Sequence, residues 1–264
     1  MKNSAWVLLI IFFSCSPSRK MPANQSGHSS ILIDGKIFAS VFQQQAAEYK
    51  ALCLQAYNIA RWRVDQAVVQ NKPLAVITDI DETLFDNSDY QVHEVLSGKD
   101  FELPSWYEWT AMGRADTIPG SLSFFQYAAS KGIQIFYITN REERERTGTL
   151  QNLNKFHFPN ADNEHLMVRQ TTSSKEERRI RVSEKFDVIV LLGDNLSDFS
   201  NVFDTKVIDE RKARTDQSAA EFGKRFIVFP NPVYGDWESD LYKSSHSLNA
   251  AEKDSVLKST LRGY

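Results

Sequence analysis

Apolar positions recur along the chain in two alternating patterns. From Val41 they return at steps of three and four residues, which predicts a long helix to about Val69, ended by Asn71-Lys72-Pro73. Short, nearly continuous apolar runs then predict strands at Leu74–Asp79, Ile133–Thr139, Leu166–Arg169, Val188–Leu192 and Arg225–Pro230. Helical segments separate these runs near 119–132, 142–153, 175–185 and 218–222. Strands alternating with helices predict an α/β fold with a doubly wound, mostly parallel sheet.

One stretch interrupts this alternation. Residues 87–117 are aromatic and irregular, and they include Trp106 and Trp109. A segment of this length is too long for an ordinary connection between a strand and a helix. It predicts a small cap inserted into the α/β domain.

The N-terminal residues have a composition of their own. Lys2 precedes the apolar run Ala5–Phe13, which is too short to span a bilayer as a mature helix, and Ser14-Cys15 follows it. This order resembles a bacterial lipoprotein signal, in which Cys15 becomes the lipidated first residue. Ordinary cleaved secretion and a cytoplasmic protein with an apolar start are the alternatives. The second cysteine, Cys53, lies on an apolar helix face and is expected in the core.

Composition and charge narrow the choice of partners. The 264-residue chain has a formal net charge of −3, and no basic arm or patch stands out in it. A nucleic acid polymer is therefore not expected as a partner. The five histidines show no metal-ligand spacing, which disfavours a histidine-based zinc site.

Polar residues follow three of the predicted strands at their carboxyl ends. They are Asp79 with Asp81, Thr139 with Asn140, and Asp194 with Asp198. In a parallel sheet these ends share one edge, where open α/β sheets bind ligands. Several carboxylates at one point need a counter-cation, and oxygen ligands favour Mg²⁺. Lys175, at a predicted helix start, could hold a phosphate there, although such a lysine is most often a surface residue. For Asp79 and Asp81 alone, an acidic surface turn is the alternative.

The order of these residues resembles the four motifs of the haloacid dehalogenase-like (HAD) superfamily. The motifs read Asp79-x-Asp81-x-Thr83, Thr139, Lys175 and Gly193-Asp194-x-x-x-Asp198. Together with the leader and the segments Phe136–Arg141 and Asn231–Trp237, they resemble the class C acid phosphatases, the bacterial lipoprotein acid phosphatase/5′-nucleotidase family. The resemblance extends from about Val41 to Trp237.

This resemblance implies a division of the chain. Residues 1–14 would be a lipoprotein signal peptide, and residues 15–35 a tether that begins with lipidated Cys15. Residues 36–264 would form a HAD-like phosphatase domain with a small, mainly helical cap. The N-terminal helix and the insertion at about 87–118 would build that cap.

The resemblance also implies a role for each site residue. Asp79 would attack phosphorus, and Asp81 would act as general acid and base. Thr139, Asn140 and Lys175 would bind the phosphoryl group. Mg²⁺ would be held by Asp79, Asp194, Asp198 and the backbone carbonyl of Asp81. Trp106 and Tyr234 would contact the nucleobase or other leaving group.

The predicted function is therefore a Mg²⁺-dependent phosphomonoesterase that forms an aspartyl-phosphate and acts on small substrates, nucleoside 5′-monophosphates among them. A phosphatase or phosphotransferase for other phosphoesters, and a non-catalytic surface lipoprotein, are the alternatives. The protein is expected to be exported and anchored by lipid to a bacterial outer membrane, on either face. A homodimer is compatible with the family resemblance.

Overall fold

The computed structural model describes residues 30–242 and 248–264. The predicted signal peptide and Cys15 therefore lie outside the described residues. Within those two ranges, no helix combines the length and the apolarity that a membrane crossing requires.

The predicted N-terminal helix is two helices. Helix α1 spans Ile31–Gln45 and α2 spans Ala47–Gln66, with Ala46 between them in extended conformation at φ −79° and ψ 125°. The two helices have different packing partners, because α1 lies against the insertion whereas α2 covers the sheet. A single straight helix could not direct its apolar residues to both layers.

The main sheet has five parallel strands. They are β1 (Leu74–Thr78), β4 (Gln134–Glu142), β5 (Leu166–Arg169), β6 (Asp187–Gly193) and β7 (Phe226–Val228), in the order β5-β4-β1-β6-β7. Strand β1 is central, and all five of its residues are buried. Such continuous burial explains the unbroken apolar run, because helices cover both faces of the sheet. The prediction of a doubly wound parallel sheet is confirmed.

Helices pack on both sheet faces. They are α2, α5 (Ser121–Ser130), α6 (Arg146–Lys155) and α7 (Glu176–Lys185), whereas α8 (Ile208–Gln217) packs against the 3₁₀ turns Asn201–Phe203 and Ala219–Glu221. Helices α2 and α5 pack with one face of the sheet, and α7 packs against β4 and β6. Cys53 is fully buried in the core beneath α2, as predicted.

The insertion starts and ends in a small antiparallel ribbon. Strand β2 (Phe85–Asp86) pairs with β3 (Asp116–Thr117), so the ends of the insertion lie side by side. Between them lie α3 (Ser88–Leu96) and α4 (Leu103–Ala111). Gly148 of α6 approaches α4 so closely that a Cβ there would lie 2.2 Å from the carbonyl oxygen of Thr110. The insertion is thus a mainly helical cap held close to the core.

Two further helices complete the C-terminal part, α9 (Asp236–Ser239) and α10 (Ala250–Thr260). The helix predicted near 218–222 is wrong in position: that segment holds a short 3₁₀ turn, Ala219–Glu221, and the helix is α8. Apolar periodicity does not predict α8, because the residue that this helix buries is Arg211.

Candidate active site

The three predicted strand ends are neighbours in the sheet. Asp79 directly follows β1, and its N–H donates to the carbonyl of Leu192 in β6 at 2.9 Å. Asp194 directly follows β6, and Thr139 lies in β4 on the other side of β1. The sheet order alone therefore brings these side chains to one edge, where the connection after β1 leads toward β4 and the connection after β6 leads the opposite way, toward β7.

Three carboxylates converge at this edge. One oxygen from each of Asp79, Asp194 and Asp198 lies within 4.8 Å of the other two. Asp198 can reach the group because Gly193 has no side chain: a Cβ there would lie 2.4 Å from Asp198 Oδ2. The Asn195 N–H donates to that same oxygen at 3.0 Å. We call Asp79, Asp194, Asp198 and the neighbouring Lys175 the acid cluster.

Lys175 is a buried member of this cluster and not a surface residue. Its Nζ forms ion pairs with Asp79 Oδ1 and, at 2.6 Å, with Asp198 Oδ1. Burial alone would lower the pKa of Lys175, but the carboxylates of Asp198 and Asp79 raise it overall. Lys175 immediately precedes α7, so the start of this helix sets its backbone position, and the two ion pairs hold its ammonium group.

The acid cluster carries more negative than positive charge. Burial raises the pKa of Asp79 to about 7, with Asp198 and Asp81 adding to the rise and Lys175 opposing it. Burial also raises the pKa of Asp194 well above its usual value, and the carboxylates of Asp198 and Asp79 raise it further. A hard divalent cation would supply the missing positive charge and suits an all-oxygen donor set. The residues therefore fit a site for a divalent cation.

The Asp81 carboxylate is held apart from that cluster. Arg141 donates to it from Nη2 at 2.7 Å and from Nε at 3.2 Å, and Asn87 donates from Nδ2 at 3.0 Å. Arg141 is itself buried, and its Nη1 donates to Thr149 Oγ1 at 3.1 Å. The two aspartates of the Asp-x-Asp motif thus have separate cationic partners, Lys175 for one and Arg141 for the other.

Thr139 and Asn140 differ in their surroundings. Thr139 is fully buried, and its Oγ1 accepts a hydrogen bond from the N–H of Arg141 at 3.0 Å. Asn140 is exposed, and its Oδ1 accepts from Arg178 Nη2 at 2.8 Å. Arg178 also donates to the carbonyl of Thr139. These contacts fix the strand end, and phosphate binding by either residue stays a prediction.

The two predicted substrate aromatics are also unlike each other. Trp106 keeps 8% exposure and packs edge-on against Tyr90 at a ring distance of 5.1 Å, with the Arg141 guanidinium 5.6 Å from its ring. Tyr234 is half-buried, and its hydroxyl donates to the carboxylate of Glu82. Trp106 is thus largely part of the cap core, whereas Tyr234 keeps more of its surface accessible.

Glu82 is a site residue that the sequence pattern did not predict. It is buried, it has a left-handed backbone at φ 55°, and its Oε1 accepts from the Asn87 N–H at 2.9 Å. Burial raises its pKa well above the usual value, and Asp81 and Asp194 raise it further. Asn87 in turn accepts from Trp109 Nε1 at 2.8 Å. Glu82 and Asn87 therefore connect Tyr234, the cap and Asp81.

The chain resembles known proteins in both sequence and fold. The family model for HAD superfamily, subfamily IIIB (Acid phosphatase) matches residues 28–237. Two structures of the class C acid phosphatase from Bacillus anthracis, one with tungstate bound, are 38% identical in sequence with a TM-score of 0.85, covering 88% of this chain and 99% of that one. Acid phosphatase 1 of Solanum lycopersicum is 31% identical over 130 residues, which are 46% of this chain. The chain spans about half the length of that curated relative.

Proposed function

Since this chain belongs to the acid phosphatases of HAD subfamily IIIB and is a phosphoric monoester hydrolase, we propose that it works through an aspartyl-phosphate on Asp79 and uses Mg²⁺. One observation carries the proposal. Asp79 lies at the end of the central strand between Lys175 and two further carboxylates, while Asp81 has a separate partner in Arg141. The two carboxylates thus have different partners, and a divalent cation beside Asp79 would favour its ionised, nucleophilic form.

Asp79 is the proposed nucleophile. A carboxylate oxygen attacks phosphorus, the bond from phosphorus to the leaving oxygen breaks, and the phosphoryl group remains on Asp79 until water releases it. Lys175 Nζ, already paired with Asp79 and Asp198, offsets negative charge as phosphorus is approached. Tungstate in the Bacillus anthracis relative is an oxyanion like phosphate, which supports an anion site in this fold.

Asp81 is the proposed general acid and base. It gives a proton to the leaving oxygen in the first step and takes one from the attacking water in the second. Its bonds to Arg141 and Asn87 hold the carboxylate in one orientation, away from the Asp79–Lys175 pair. The nucleophile and the acid therefore do not compete for the same cation.

Mg²⁺ would be held by the carboxylates of Asp79, Asp194 and Asp198 and by the backbone carbonyl of Asp81. When bound, it would neutralise charge on the phosphoryl oxygens. Asn231 donates to Asp194 Oδ2 at 2.8 Å and so orients one of these carboxylates. This second layer of contacts is typical of built metal sites.

Nucleoside 5′-monophosphates are the proposed substrates. The ring of Tyr234, held by Glu82, supplies a flat surface on which a base can stack, worth about 1–3 kcal/mol per base. Trp106, being mostly buried against Tyr90, would offer a base a smaller contact surface. Sugar phosphates are the competing substrate class, because they need no aromatic surface.

Membrane attachment is proposed from the leader alone. The apolar run and Cys15 support export and lipidation. Labelling cells with a palmitate analogue should mark the wild-type chain and not Cys15→Ser, and equal labelling would contradict the proposal.

One assay separates the main possibilities. The leaderless protein should hydrolyse p-nitrophenyl phosphate and nucleoside monophosphates with Mg²⁺, and lose this activity in EDTA or as Asp79→Asn. Asp209→Asn, at an exposed position on α8, is the matched control and should remain active. Activity of Asp79→Asn would contradict the mechanism, and activity on sugar phosphates without activity on nucleotides would contradict the substrate proposal.

A further inference from the structure

A second set of polar residues, of which Arg211 is buried and the others are half-buried, is hydrogen-bonded to the loop that carries Asp194 and Asp198. It comprises Asn195 and Ser197 in the loop, Arg211 on α8, and Asp236 at the start of α9. We propose that Asp236, acting with Arg211, is a positioning residue that fixes Asp198 for binding of the divalent cation. This inference rests on the proposed cation site and extends it to two residues that do not touch the cluster.

The loop itself is a tight turn with reciprocal bonds. Leu196–Asp198 forms a 3₁₀ turn, and the side chain of Asn195 accepts from the Ser197 N–H while Asp198 Oδ2 accepts from the Asn195 N–H. The orientation of the Asp198 carboxylate therefore depends on the conformation of Asn195. A rotation of the Asn195 backbone would withdraw the N–H that holds Asp198.

Arg211 fixes Asn195 from outside the loop. Its Nη2 donates to Asn195 Oδ1, and its Nη1 donates to the carbonyl of Phe203 at 2.8 Å. Arg211 is the buried residue of α8, a helix with little apolar surface of its own. The helix is thus attached to the core largely through an arginine that also holds the cation loop.

Asp236 joins these contacts into one unit. Its Oδ2 accepts from Ser197 Oγ at 2.6 Å and from Arg211 Nη1 at 3.3 Å. Ser197 therefore directs its hydroxyl away from the acid cluster, toward Asp236. Replacing Asp236 should loosen both Arg211 and Ser197, because the other acid near Arg211, Asp240, lies 3.9 Å from its Nη1 and forms no hydrogen bond with it.

The inference predicts a specific kind of defect. Loosening the loop should weaken cation binding, because Asp198 would no longer be held in place. Loss of an outer-layer partner of this kind typically costs about 10–100-fold in metal affinity. With the cation at saturation, turnover should change little, since neither Asp236 nor Arg211 contacts the reacting groups.

The experiment measures Mn²⁺ binding to the chelated, leaderless protein by calorimetry and by electron paramagnetic resonance. Asp236→Asn should raise the Kd for Mn²⁺ about tenfold or more, and Ser197→Ala should raise it less, by about threefold. The double variant should resemble Asp236→Asn alone, because both changes break the same contact. Asp209→Asn is the control and should bind Mn²⁺ like wild type.

If Asp236→Asn does not fold, Arg211→Lys tests the same inference. Lysine keeps the charge but cannot donate to Asn195 and Asp236 at once, so the Kd should again rise about tenfold. Mn²⁺ binding within twofold of wild type in the folded variant would overturn the inference. So would an unchanged Kd with a fall in kcat at saturating metal. Wild-type protein that binds Mn²⁺ without phosphatase activity would instead count against the proposed function.

Discussion

Two ionic clusters in this molecule, one buried and one partly buried, have the same kinds of groups in different proportions. The acid cluster sets three carboxylates against the ammonium of Lys175. The second cluster, which we call the cap cluster, joins Lys36 and Lys253 to Asp100 and Glu238. Among the residues that the structure describes, the cap cluster is balanced in charge, and the acid cluster is not.

The cap cluster connects four distant parts of the chain. Lys36 Nζ on α1 lies 2.6 Å from Asp100 Oδ1 in the insertion and 3.1 Å from Glu238 Oε2 on α9. Lys253 of α10 lies 2.9 Å from Asp100 Oδ2. Its charges are satisfied by the protein itself, so it can serve to hold the cap together.

The aspartates of the two clusters titrate in opposite directions. Burial raises the pKa of Asp79 to about 7, despite Lys175. At Asp100, burial also acts to raise the pKa, but Lys36 and Lys253 together lower it to about 2. A surplus of buried acids is costly without a further cation, and groups with raised pKa values concentrate at functional sites. Charge balance therefore separates a structural cluster from a candidate site.

The largest contrast should come from removing one lysine of each cluster. Lys175→Met should lower kcat/KM by about 10²–10³-fold, as expected when a group that stabilises transition-state charge is lost. Lys253→Met should leave kcat/KM within about threefold, because its partner is Asp100 in the cap. Hydrolysis of p-nitrophenyl phosphate at saturating Mg²⁺ measures both. Comparable losses of kcat/KM in the two variants would contradict the distinction between a catalytic and a structural cluster.

Cation binding should stabilise the protein through the acid cluster. At a free Mg²⁺ concentration of about 100 Kd, the expected gain is about 2.7 kcal/mol. For a chain of this size, that gain corresponds to a rise in melting temperature of roughly 5–10 °C. Thermal unfolding with Mg²⁺ and with EDTA measures it. Asp198→Asn should lose the rise and Asp100→Asn should keep it, whereas a rise that survives Asp198→Asn would place the cation elsewhere.

Much of the fold follows from the sequence because apolar patterns record burial. Strand β1, Leu74–Thr78, lies where its apolar run predicts, since a strand covered on both faces needs continuous apolar residues. The division of the first helix at Ala46 depends on which layers α1 and α2 pack against, and helical periodicity carries no such information. Helix α8 was missed because an arginine replaces the expected apolar face.

The site residues also divide into those that the sequence predicts and those that only the structure reveals. Asp79, Thr139 and Asp194 could be grouped from sequence because the carboxyl ends of parallel strands must share an edge. Glu82 and Asn87 could not, since their roles depend on how the insertion folds back over the motif loop. Arg141 directly follows Thr139 and Asn140 in the sequence, which indicates that it lies near the site. Its ion pair with Asp81 is seen only in the structure.

The same substitution should have opposite effects on stability in the two clusters. Asp79→Asn removes one charge from a crowded set and leaves Lys175 paired with Asp198, so the metal-free protein should gain about 1 kcal/mol. Asp100→Asn leaves the buried ammonium of Lys36 short of a counter-charge and should cost about 1–2 kcal/mol. Urea unfolding in EDTA at pH 8 measures both changes. Effects of the same sign would contradict the charge-balance argument.

The stability difference between wild type and Asp100→Asn should also depend on pH. Because the pKa of folded Asp100 is about 2, below the usual 3.8, its ionic stabilisation is complete above about pH 4 and is lost as the pH falls toward 2. A shift of this size would be worth about 2.5 kcal/mol for a fully buried group. The Asp100 side chain keeps 28% exposure, so solvent screening reduces the expected value to about 1–2 kcal/mol.

Urea unfolding of wild type and Asp100→Asn in EDTA, between pH 6 and pH 2.5, measures this contribution. The comparison separates it from the contribution of Glu238, because burial raises the pKa of Glu238 and both proteins contain that residue. The difference in unfolding free energy should shrink toward zero as the solution becomes acidic. For Asp79→Asn the sign reverses: the raised pKa of Asp79 makes wild type lose stability between about pH 4 and pH 7, so the variant's advantage should grow as the pH rises. Two pH profiles of equal slope would show that charge balance does not distinguish the clusters.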